Sequence, residues 1–455
     1  MTDRLAHART VARKRTEGVL TDLEQWLRIP SVSGDPAHRT DVVAAARWIA
    51  NRLARSTRRV CVVATPSGPL VLARIPAARP GAGTVVIYGH FDVKAAGPGW
   101  TSSPFEPVRR GGLLFARGSS DDKGQVMAHI AALEAWVSVG GPPVDVVIVL
   151  DGAEEIGSPG LEAVLARPRE RGVFGDAVTA VVVSDTRMAK LGTPSVTVSQ
   201  RGMISVSVRL ATGDRAVHAG RYGGAVIDPT VALARSIVRA HRVASNLTGP
   251  VVARCPTDAD VRANAAGRAL YSDRIAERTT TRGALTVTSV DAGSAPGSIP
   301  PCAKATLDVR LPPDMDPALA YRLVAGALRR NVSPNVKIEI TCVTASAGNT
   351  MRQPSAIRRA IDNACCIAFG RRPVDVASGG SIHAVGVLAR ALNKPPILLG
   401  LGPPDDGAHG PDERLQLADW IKGVDVCVCL VSFLANASGS SQTRMRLSNI
   451  GTTLI

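Results

Sequence analysis

Residues 84–93 have the sequence TVVIYGHFDV, an apolar run that ends in a histidine and an aspartate. Its length and apolar character predict a strand that is buried on both faces, as the strands of parallel sheets are. Polar side chains that follow such a strand lie at the carboxyl edge of the sheet, where α/β proteins place their functional sites. The segment therefore predicts a buried strand over residues 84–90 that carries His90 and Asp92 to a site.

The segments that follow repeat this pattern. A helical pattern over residues 125–137 precedes a second apolar run, VDVVIVLDGAEE (144–155), and a third run, AVVVSD (180–185), comes later. Alternating strands and helices predict an α/β catalytic domain with a mostly parallel sheet and helices on both faces. Because 455 residues exceed one ordinary core, a second domain is also expected.

A different pattern begins near residue 195. The segment SVTVSQRGMISVSVRL (195–210) alternates like half-exposed antiparallel strands, and more strands with two helices follow it. This pattern predicts an α+β sandwich that is inserted into the α/β domain. The predicted boundaries are 1–198 and 349–437 for the catalytic domain, 199–348 for the inserted domain and 438–455 for a loose C-terminal tail.

The chain is basic, with a formal net charge of +16. One interpretation of this charge is nucleic-acid binding. The other is a basic enzyme surface, which we favour because the arginines are spread along the chain and the few aromatic residues do not interleave with them. We therefore expect no nucleic-acid partner.

Apolar patterning and cysteine usage bear on location. The N-terminal segment lacks the apolar core of a signal peptide, and no run of about 20 apolar residues occurs, so we expect no membrane partner. None of the eight cysteines forms a C-x-x-C pair. Free thiols in a reducing cytoplasm are therefore expected.

Five short motifs place carboxylates and imidazoles at predicted strand ends or helix starts. They are GHFDV (89–93), ARGSSDDKG (116–124), LDGAEEIGS (150–158), VVSDT (182–186) and PPDDGAHGPDE (403–413). Carboxylate and imidazole ligands together suit Zn²⁺ or Mn²⁺. Glu154 and Glu155 close an apolar strand, where two unpaired carboxylates would repel and be costly to bury. A bound cation would offset that cost.

In this order, the motifs resemble those of the dinuclear metallopeptidase family that contains carnosinase, cytosolic nonspecific dipeptidase, glutamate carboxypeptidase and the aminoacylases. The similarity spans nearly the whole chain from LRIPSVSG (27–34) onwards. GWTSSPFEP (99–107), GSSDDKG (118–124) and DDGAHGPDE (405–413) are similar above all to the carnosinase and nonspecific dipeptidase branch. The inserted domain then corresponds to a lid and dimerisation domain.

The resemblance implies a set of metal ligands. His90, Asp121 and Asp185 would hold one ion, and Asp121 would bridge to a second ion that Glu155 and His409 complete. The cofactors implied are two divalent metal ions per subunit, Zn²⁺ or Mn²⁺.

Two further acids have implied catalytic roles. Asp92 would orient His90 through the second ring nitrogen. Glu154 would act as the general base, taking a proton from a metal-bridging water and passing it to the leaving amine. The resemblance also implies a cis peptide bond between Asp121 and Asp122.

The inserted domain resembles the family in its substrate-binding residues. His218, in VHAGRYGG (217–224), would reach the active site of the neighbouring subunit of a homodimer and stabilise the developing oxyanion. Arg310 would clamp the substrate carboxylate with two hydrogen bonds, and Ser381 would help to bind that end. His383 ends the glycine-containing segment SGGSIH (378–383), which also carries Ser381. The family pattern nevertheless puts the metal ligand at His409.

The chain departs from the branch at two positions. Ala219 stands where serine is usual, and Gly297 stands where a substrate-contacting threonine is common, with Ser298 beside it. These changes leave the peptide preference open.

The sequence thus predicts a dipeptidase that cleaves the amide bond of dipeptides or other short peptides. Asp185 supports this interpretation, because aspartate at the equivalent position tends to accompany aminopeptidases and dipeptidases. The alternative is a deacylase acting on N-acyl amino acids or a related small amide. A third possibility is a metal-free binding or scaffold protein, although such relatives usually lose metal ligands that are all present here.

Overall fold

The computed structural model describes residues 2–167, 172–175, 178–250, 269–271, 273–293 and 296–448, and the side chains of residues 3–437 within those ranges. The chain packs as two compact units. The first contains residues 1–197, 351–375 and 382–455, and the second contains residues 198–350 and 376–381.

Twelve α-helices are described. In chain order they are α1 (Thr2–Lys14), α2 (Thr16–Leu27), α3 (Arg39–Leu53), α4 (Lys123–Ser138), α5 (Leu161–Ala166), α6 (Ala219–Tyr222), α7 (Pro229–Ser245), α8 (Ile275–Thr280), α9 (Pro317–Arg329), α10 (Ser355–Phe369), α11 (His383–Leu392) and α12 (Leu417–Ser448). Two 3₁₀ turns, Pro36–His38 and Glu154–Ile156, lie between them.

The described residues also form eighteen strands. In chain order they are β1 (Val60–Val63), β2 (Leu70–Ile75), β3 (Thr84–His90), β4 (Val108–Arg110), β5 (Leu113–Phe115), β6 (Asp145–Asp151), β7 (Val178–Arg187), β8 (Ser195–Gln200), β9 (Gly202–Ala211), β10 (Val217–His218), β11 (Ala284–Asp291), β12 (Ser298–Ile299), β13 (Cys302–Leu311), β14 (Lys337–Ser346), β15 (Asn349–Thr350), β16 (Val374–Ser378), β17 (Ile397–Gly402) and β18 (Arg414–Gln416).

The first unit is built on a twisted sheet with the strand order β1-β2-β6-β3-β7-β17, followed by β8. Its central pairs β6-β3, β3-β7 and β7-β17 are parallel, and the flanking pairs are antiparallel. All seven residues of β3 are buried, as the run TVVIYGH predicted. The parallel centre brings the carboxyl ends of β3, β6 and β7 to one edge.

Helices cover this sheet and supply the rest of the core. On one face, Leu161, Val164 and Leu165 of α5 and Val385 and Leu388 of α11 pack against the strands. Helix α4 is buried on nearly all sides, which is typical of a helix enclosed by other elements. Its Trp136 donates a hydrogen bond from Nε1 to the Val428 carbonyl of α12, 3.0 Å away.

The second unit is a four-stranded antiparallel sheet in the order β11-β13-β9-β14 with α7 and α9 packed on it. Residues of β9 alternate between buried and half-buried, so one face of the sheet carries the core. Both helices begin with Asp-Pro. Asp228 and Asp316 cap the first turn by accepting backbone N–H bonds, and Pro229 and Pro317 need no such bond.

The fold class predicted from the sequence, an α/β domain with a mostly parallel sheet plus an inserted α+β unit, is confirmed. One local prediction was wrong. The C-terminal tail is helical as far as Ser448 rather than loose from residue 438, because a helix anchored by buried residues extends cooperatively where no proline stops it.

Among the described residues, no helix combines the length and apolar character that crossing a bilayer requires.

Candidate metal centre

Three parallel strands deliver side chains to the same sheet edge. His90 is the last residue of β3 and pairs in register with Asp151, the last residue of β6. Glu154 and Glu155 follow in the 3₁₀ turn directly after β6. Asp185 lies near the end of β7. The edge of the sheet therefore gathers a histidine and four acidic residues from distant parts of the sequence.

Asp121 comes from the loop that precedes α4. The peptide bond between Asp121 and Asp122 is cis, as the resemblance implied. Oδ2 of Asp122 accepts a hydrogen bond from the backbone N–H of His90 at 3.3 Å, which attaches this loop to the end of β3. Gly89 has no room for a Cβ, since one would lie 2.4 Å from Val126 and 2.7 Å from the Asp122 carboxylate.

The predicted ligands form two groups that share Asp121. His90, Asp121 and Asp185 place ligand atoms within 4.8 Å of one another, and so do Asp121, Glu155 and His409. Nε2 of His90 lies 3.0 Å from Oδ1 of Asp121, whereas Nε2 of His409 lies 3.1 Å from Oδ2. One carboxylate thus faces two separate groups with its two oxygens.

The remaining distances complete the two groups. Nε2 of His90 lies 3.9 Å from Oδ1 of Asp185, and Nε2 of His409 lies 3.2 Å from Oε2 of Glu155. The side chains of Asp121, Asp185 and Glu155 are 17%, 11% and 5% exposed, so these carboxylates are largely removed from water.

Crowding of buried carboxylates dominates the electrostatics. Burial, with the charges of Asp121 and Asp122, raises the pKa of Asp185 well above its ordinary value. Hydrogen bonds to the carboxylates of Asp121 and Glu155 raise the pKa of His409 to about 10. Burial alone would lower the pKa of His90, but its acidic neighbours outweigh burial and raise it. The site is thus built to stabilise positive charge.

The donor set fits two divalent cations. Two imidazoles and three carboxylates, arranged as two groups with one shared carboxylate, are the ligands that Zn²⁺ and Mn²⁺ accept, and a shared carboxylate is what a two-metal site requires. Oδ1 of the buried Asp122, beside the shared ligand, has no hydrogen-bond partner among the described residues. Positive charge in the site would offset the cost of burying these acids.

Asp92 contacts both the histidine and the acidic turn. Nδ1 of His90 lies 2.9 Å from the Asp92 backbone carbonyl and 3.4 Å from its carboxylate Oδ1. The two carboxylate oxygens of Asp92 accept the backbone N–H groups of Glu154 and Glu155 at 3.1 Å and 3.0 Å. Asp92 therefore orients the imidazole mainly through its carbonyl, and its carboxylate holds the turn that carries the two glutamates.

Glu154 lies beside the ligand groups but belongs to neither of them. Burial, with the negative charges of Asp92, Glu155 and Asp121, raises the pKa of Glu154 to about 8, although His90 opposes this shift. Its neighbour Glu155 is in the second group. A partly buried carboxylate next to the two ligand groups can accept a proton and release it again.

The His409 loop is fixed by Asp406. His409 has a positive φ of 63°, which is uncommon outside glycine, and its side chain is 54% exposed. Oδ1 of Asp406 accepts the N–H of Ala408 at 3.0 Å, and Oδ2 accepts the hydroxyl of Ser120 at 3.0 Å. Asp406 thereby joins the His409 loop to the loop that carries Asp121.

A buried ion pair supports the Asp121 loop from the other side. Nη1 of Arg117 lies 2.7 Å from Oε2 of Glu413, with both side chains at most 1% exposed. Glu413 also accepts the backbone N–H groups of Gly118, Ser120 and Asp121 at 3.0, 2.9 and 2.9 Å. Burial raises the pKa of Glu413 to about 7. This network sets the backbone from which the shared carboxylate projects.

The predicted substrate-binding residues belong to the second unit. His218 is exposed, and its Nδ1 accepts the N–H of Gly220 at 3.1 Å. Nη1 of Arg310 lies 3.4 Å from Oγ of Ser381. His383, which begins α11 in the first unit, is in neither metal-ligand group.

The two positions that depart from the branch contact each other. The backbone N–H of Ala219 donates to the carbonyl of Gly297 at 2.8 Å, beside the short pairing of β10 with β12. Neither residue offers a polar side chain.

Sequence reasoning missed several supporting residues. They are the acids Asp122, Asp406 and Glu413 and the cations Lys94, Arg117 and Arg187. The acids lie inside the quoted motifs, so their positions were visible, but nothing in those motifs separates a supporting acid from a ligand. Arg187 and Lys94 lie outside the quoted motifs. Only the fold puts Nε of Arg187 2.8 Å from Oδ1 of Asp406, and Nζ of Lys94 3.2 Å from Oε2 of Glu155.

Comparison with known proteins gives one family and several whole-length relatives. Residues 86–432 match the family described as peptidase family M20/M25/M40. The Cys-Gly metallodipeptidase dug1 of Schizosaccharomyces pombe is 27% identical over 93% of this chain and 97% of its own length. The Beta-Ala-His dipeptidase of Homo sapiens is 27% identical over 88% of this chain and 87% of its own.

Solved structures share the fold. The dipeptidase Dug1p from Saccharomyces cerevisiae superposes with a TM-score of 0.81, covering 96% of this chain and 99% of that one at 23% sequence identity. At this identity the match establishes the architecture alone.

Proposed function

The chain belongs to peptidase family M20/M25/M40, as the order of its motifs predicted, and from this membership we propose that it is a metal-dependent dipeptidase that hydrolyses the amide bond of small peptides. Relatives that match nearly the whole chain are named as dipeptidases, one cleaving Cys-Gly and one β-Ala-His. The observation that carries the proposal is Asp121, whose two carboxylate oxygens face two separate ligand groups.

His90, Asp121 and Asp185 would hold one divalent cation, and Asp121, Glu155 and His409 would hold the other. When bound, such cations polarise the substrate carbonyl and make a water molecule acidic enough to supply hydroxide near neutrality. We keep both Zn²⁺ and Mn²⁺ as candidates, because imidazole and carboxylate ligands suit either metal.

Glu154 is the general base of this proposal. Its carboxylate would accept a proton from the attacking water and then deliver it to the amide nitrogen, so that the amine can leave. Its position directly before Glu155 supports this role, because it puts a non-ligating carboxylate beside the second group. Proton transfer of this kind contributes about 10²–10⁴-fold to the rate.

Asp92 is the positioning residue. By accepting the N–H groups of Glu154 and Glu155, its carboxylate fixes both the base and one ligand in the same turn. Its carbonyl acceptor near Nδ1 of His90 favours the tautomer whose Nε2 lone pair faces the cation. Outer contacts of this kind typically change metal affinity or activity by about 10–100-fold.

The second unit would contribute to substrate binding. Arg310, beside Ser381, has the planar donor fork that binds a carboxylate through two hydrogen bonds, which suits the free carboxyl end of a dipeptide. His218 is exposed and would donate to the substrate carbonyl oxygen of a neighbouring subunit. This arrangement requires a homodimer, which we propose together with it. The free thiols of Cys302, Cys342, Cys365, Cys366, Cys427 and Cys429 support the cytoplasmic location that the sequence predicted.

Substrate profiling tests the proposed function. Protein reconstituted with Zn²⁺ or Mn²⁺ should hydrolyse dipeptides such as Cys-Gly or β-Ala-His with a higher kcat/KM than the N-acetyl forms of single amino acids. Metal-free protein and the Glu154→Gln variant are the controls. The first should be inactive, and the second should have a strongly reduced kcat. Turnover of N-acyl amino acids alone would instead identify a deacylase and remove the dipeptidase assignment.

A further inference from the structure

Arg187 is a cation at the edge of the candidate metal centre with no assigned task. It is the last residue of β7, two residues after Asp185, and its side chain is 52% exposed. Nε of Arg187 lies 2.8 Å from Oδ1 of Asp406, the acid that fixes the His409 loop. The guanidinium is therefore anchored at one end to the frame of the site.

The rest of the guanidinium is available to a ligand. Within the described ranges, neither Nη1 nor Nη2 of Arg187 has a hydrogen-bond or ion-pair partner, since its only side-chain contact of this kind is made by Nε. Asp406 does not depend on that contact, because it also accepts from Ala408 and Ser120. A lysine ammonium would be enough to neutralise Asp406. The contact with Asp406 therefore does not explain why this position has the planar guanidinium of an arginine, with its several N–H donors.

The position of Arg187 in the fold puts this guanidinium close to the ligands. Arg187 follows Asp185 of the first group by two residues on β7. Its contact Asp406 also accepts the hydroxyl of Ser120, the residue next to Asp121. An arginine guanidinium keeps its positive charge at physiological pH. Lys94 adds a second, 39% exposed cation, with Nζ 3.2 Å from Oε2 of Glu155 in the other group.

We propose that Arg187 is a specificity-determining residue that binds a carboxylate on the substrate, so that the enzyme prefers dipeptides with an acidic side chain. The inference rests on the proposed dipeptidase function for its substrate class. An aspartate or glutamate side chain would occupy the free Nη1 and Nη2 atoms as a bidentate pair. A neutral isostere such as glutamine would leave the charge of Arg187 without a partner, so its binding free energy would be less favourable.

Matched substrates test the preference. The substrate pairs are Glu-Ala with Gln-Ala and Ala-Glu with Ala-Gln. For at least one pair, the kcat/KM of the metal-loaded enzyme should be about tenfold or more higher for the acidic dipeptide. A hydrogen bond to a charged group has a free energy that corresponds to a ratio of this size. Arg187→Gln should bring that ratio close to one, and Arg187→Lys should leave an intermediate ratio because it keeps the charge without the fork. Arg390→Gln, which removes a 60% exposed arginine of α11, should keep the wild-type ratio.

Two measurements separate substrate recognition by Arg187 from a purely structural role of its side chain. If Arg187 only supported the His409 loop, Arg187→Gln would lower the bound metal and reduce both members of a pair equally, and that result would overturn the proposal. Calorimetric binding of Ala-Glu, Ala-Gln, Glu-Ala and Gln-Ala to metal-loaded Glu154→Gln protein tests recognition without turnover. An acidic preference there would support Arg187 even if wild-type protein failed to hydrolyse any dipeptide, whereas equal or absent binding would overturn it.

Discussion

Nε2 of His409 lies 3.1 Å from Oδ2 of Asp121, while the other oxygen of the same carboxylate lies 3.0 Å from Nε2 of His90. Asp121 is thus common to both ligand groups, whereas His409 belongs to one. The two residues should therefore differ in what their removal does to the metal content.

Asp121→Ala should reduce the bound metal from about two ions per chain to nearly none, because both groups lose a ligand. His409→Ala should retain about one ion, held by His90, Asp121 and Asp185. Elemental analysis after dialysis against low metal measures both, with circular dichroism to show that each variant is folded. An equal loss of bound metal in the two variants would contradict the conclusion that Asp121 is a ligand of both ions.

Glu154→Gln should lower kcat by about 10²–10⁴-fold or more while the protein keeps its full metal content, because the amide cannot accept a proton and Glu154 is not a ligand. Steady-state kinetics with a dipeptide, together with elemental analysis, checks both halves of this prediction. Glu162→Gln, at a side chain that is 67% exposed on α5, is the matched control and should keep wild-type kinetics. A Glu154→Gln enzyme with normal kcat would refute the assignment of the base.

His218→Ala should lower kcat by about 10²–10³-fold, the usual cost of losing one oxyanion donor, with unchanged metal content. If His218 acts across a homodimer, mixing His218→Ala with Glu154→Gln protein should restore part of the activity, because some mixed dimers carry one intact site. Light scattering should give the mass of a dimer. A monomeric mass, or a mixture as inactive as its components, would show that His218 does not act between subunits.

Glu413→Gln should lower the free energy of unfolding by about 3–5 kcal/mol, because it leaves the buried charge of Arg117 without its partner. Urea unfolding followed by circular dichroism measures this loss. The exposed pair of Arg109 and Glu17 offers a contrast, since the Glu17 side chain is 79% exposed. Glu17→Gln should cost less than about 1 kcal/mol, and similar losses in the two variants would argue against a buried support for the Asp121 loop.

Asp425 should make stability depend on pH in the acid range. Burial alone would raise its pKa, but hydrogen bonds from Arg9 at 2.8 Å and Arg13 at 2.5 Å lower it. Because the folded pKa lies below the unfolded value of about 3.9, the stabilisation is complete above that value and is lost as the pH falls through the folded pKa.

Asp425→Asn should therefore cost about 1.5–3 kcal/mol at pH 7, the usual worth of hydrogen bonds to a charged group, and progressively less as the pH falls below about 3.9. Urea unfolding at several pH values provides the measurement. Asp214→Asn, at an exposed aspartate, should cost little at any pH. A cost for Asp425→Asn that does not change with pH would exclude the ion pairs with α1 as its origin.

The sequence by itself determined the class of the fold and the elements that carry the site. The apolar run before His90 could only be buried on both faces, and the alternating run at residues 195–210 could only be buried on one, so the change of period marked the start of a different sheet. The order of the motifs likewise pointed to the family. Strand burial and side-chain chemistry are local properties, so they could be predicted without coordinates.

Only the tertiary structure decided how those residues meet. The parallel register of β3 with β6 and β7 brings His90, Glu155 and Asp185 to one edge, and Asp406 brings the distant His409 loop to Asp121. The tertiary structure also showed that the carboxylate of Asp92 holds the turn of Glu154 and Glu155. It showed as well that the guanidinium of Arg187 is anchored through Nε and partly free. Such distances depend on how separate segments pack, and that packing is set by the whole core rather than by any one stretch of sequence.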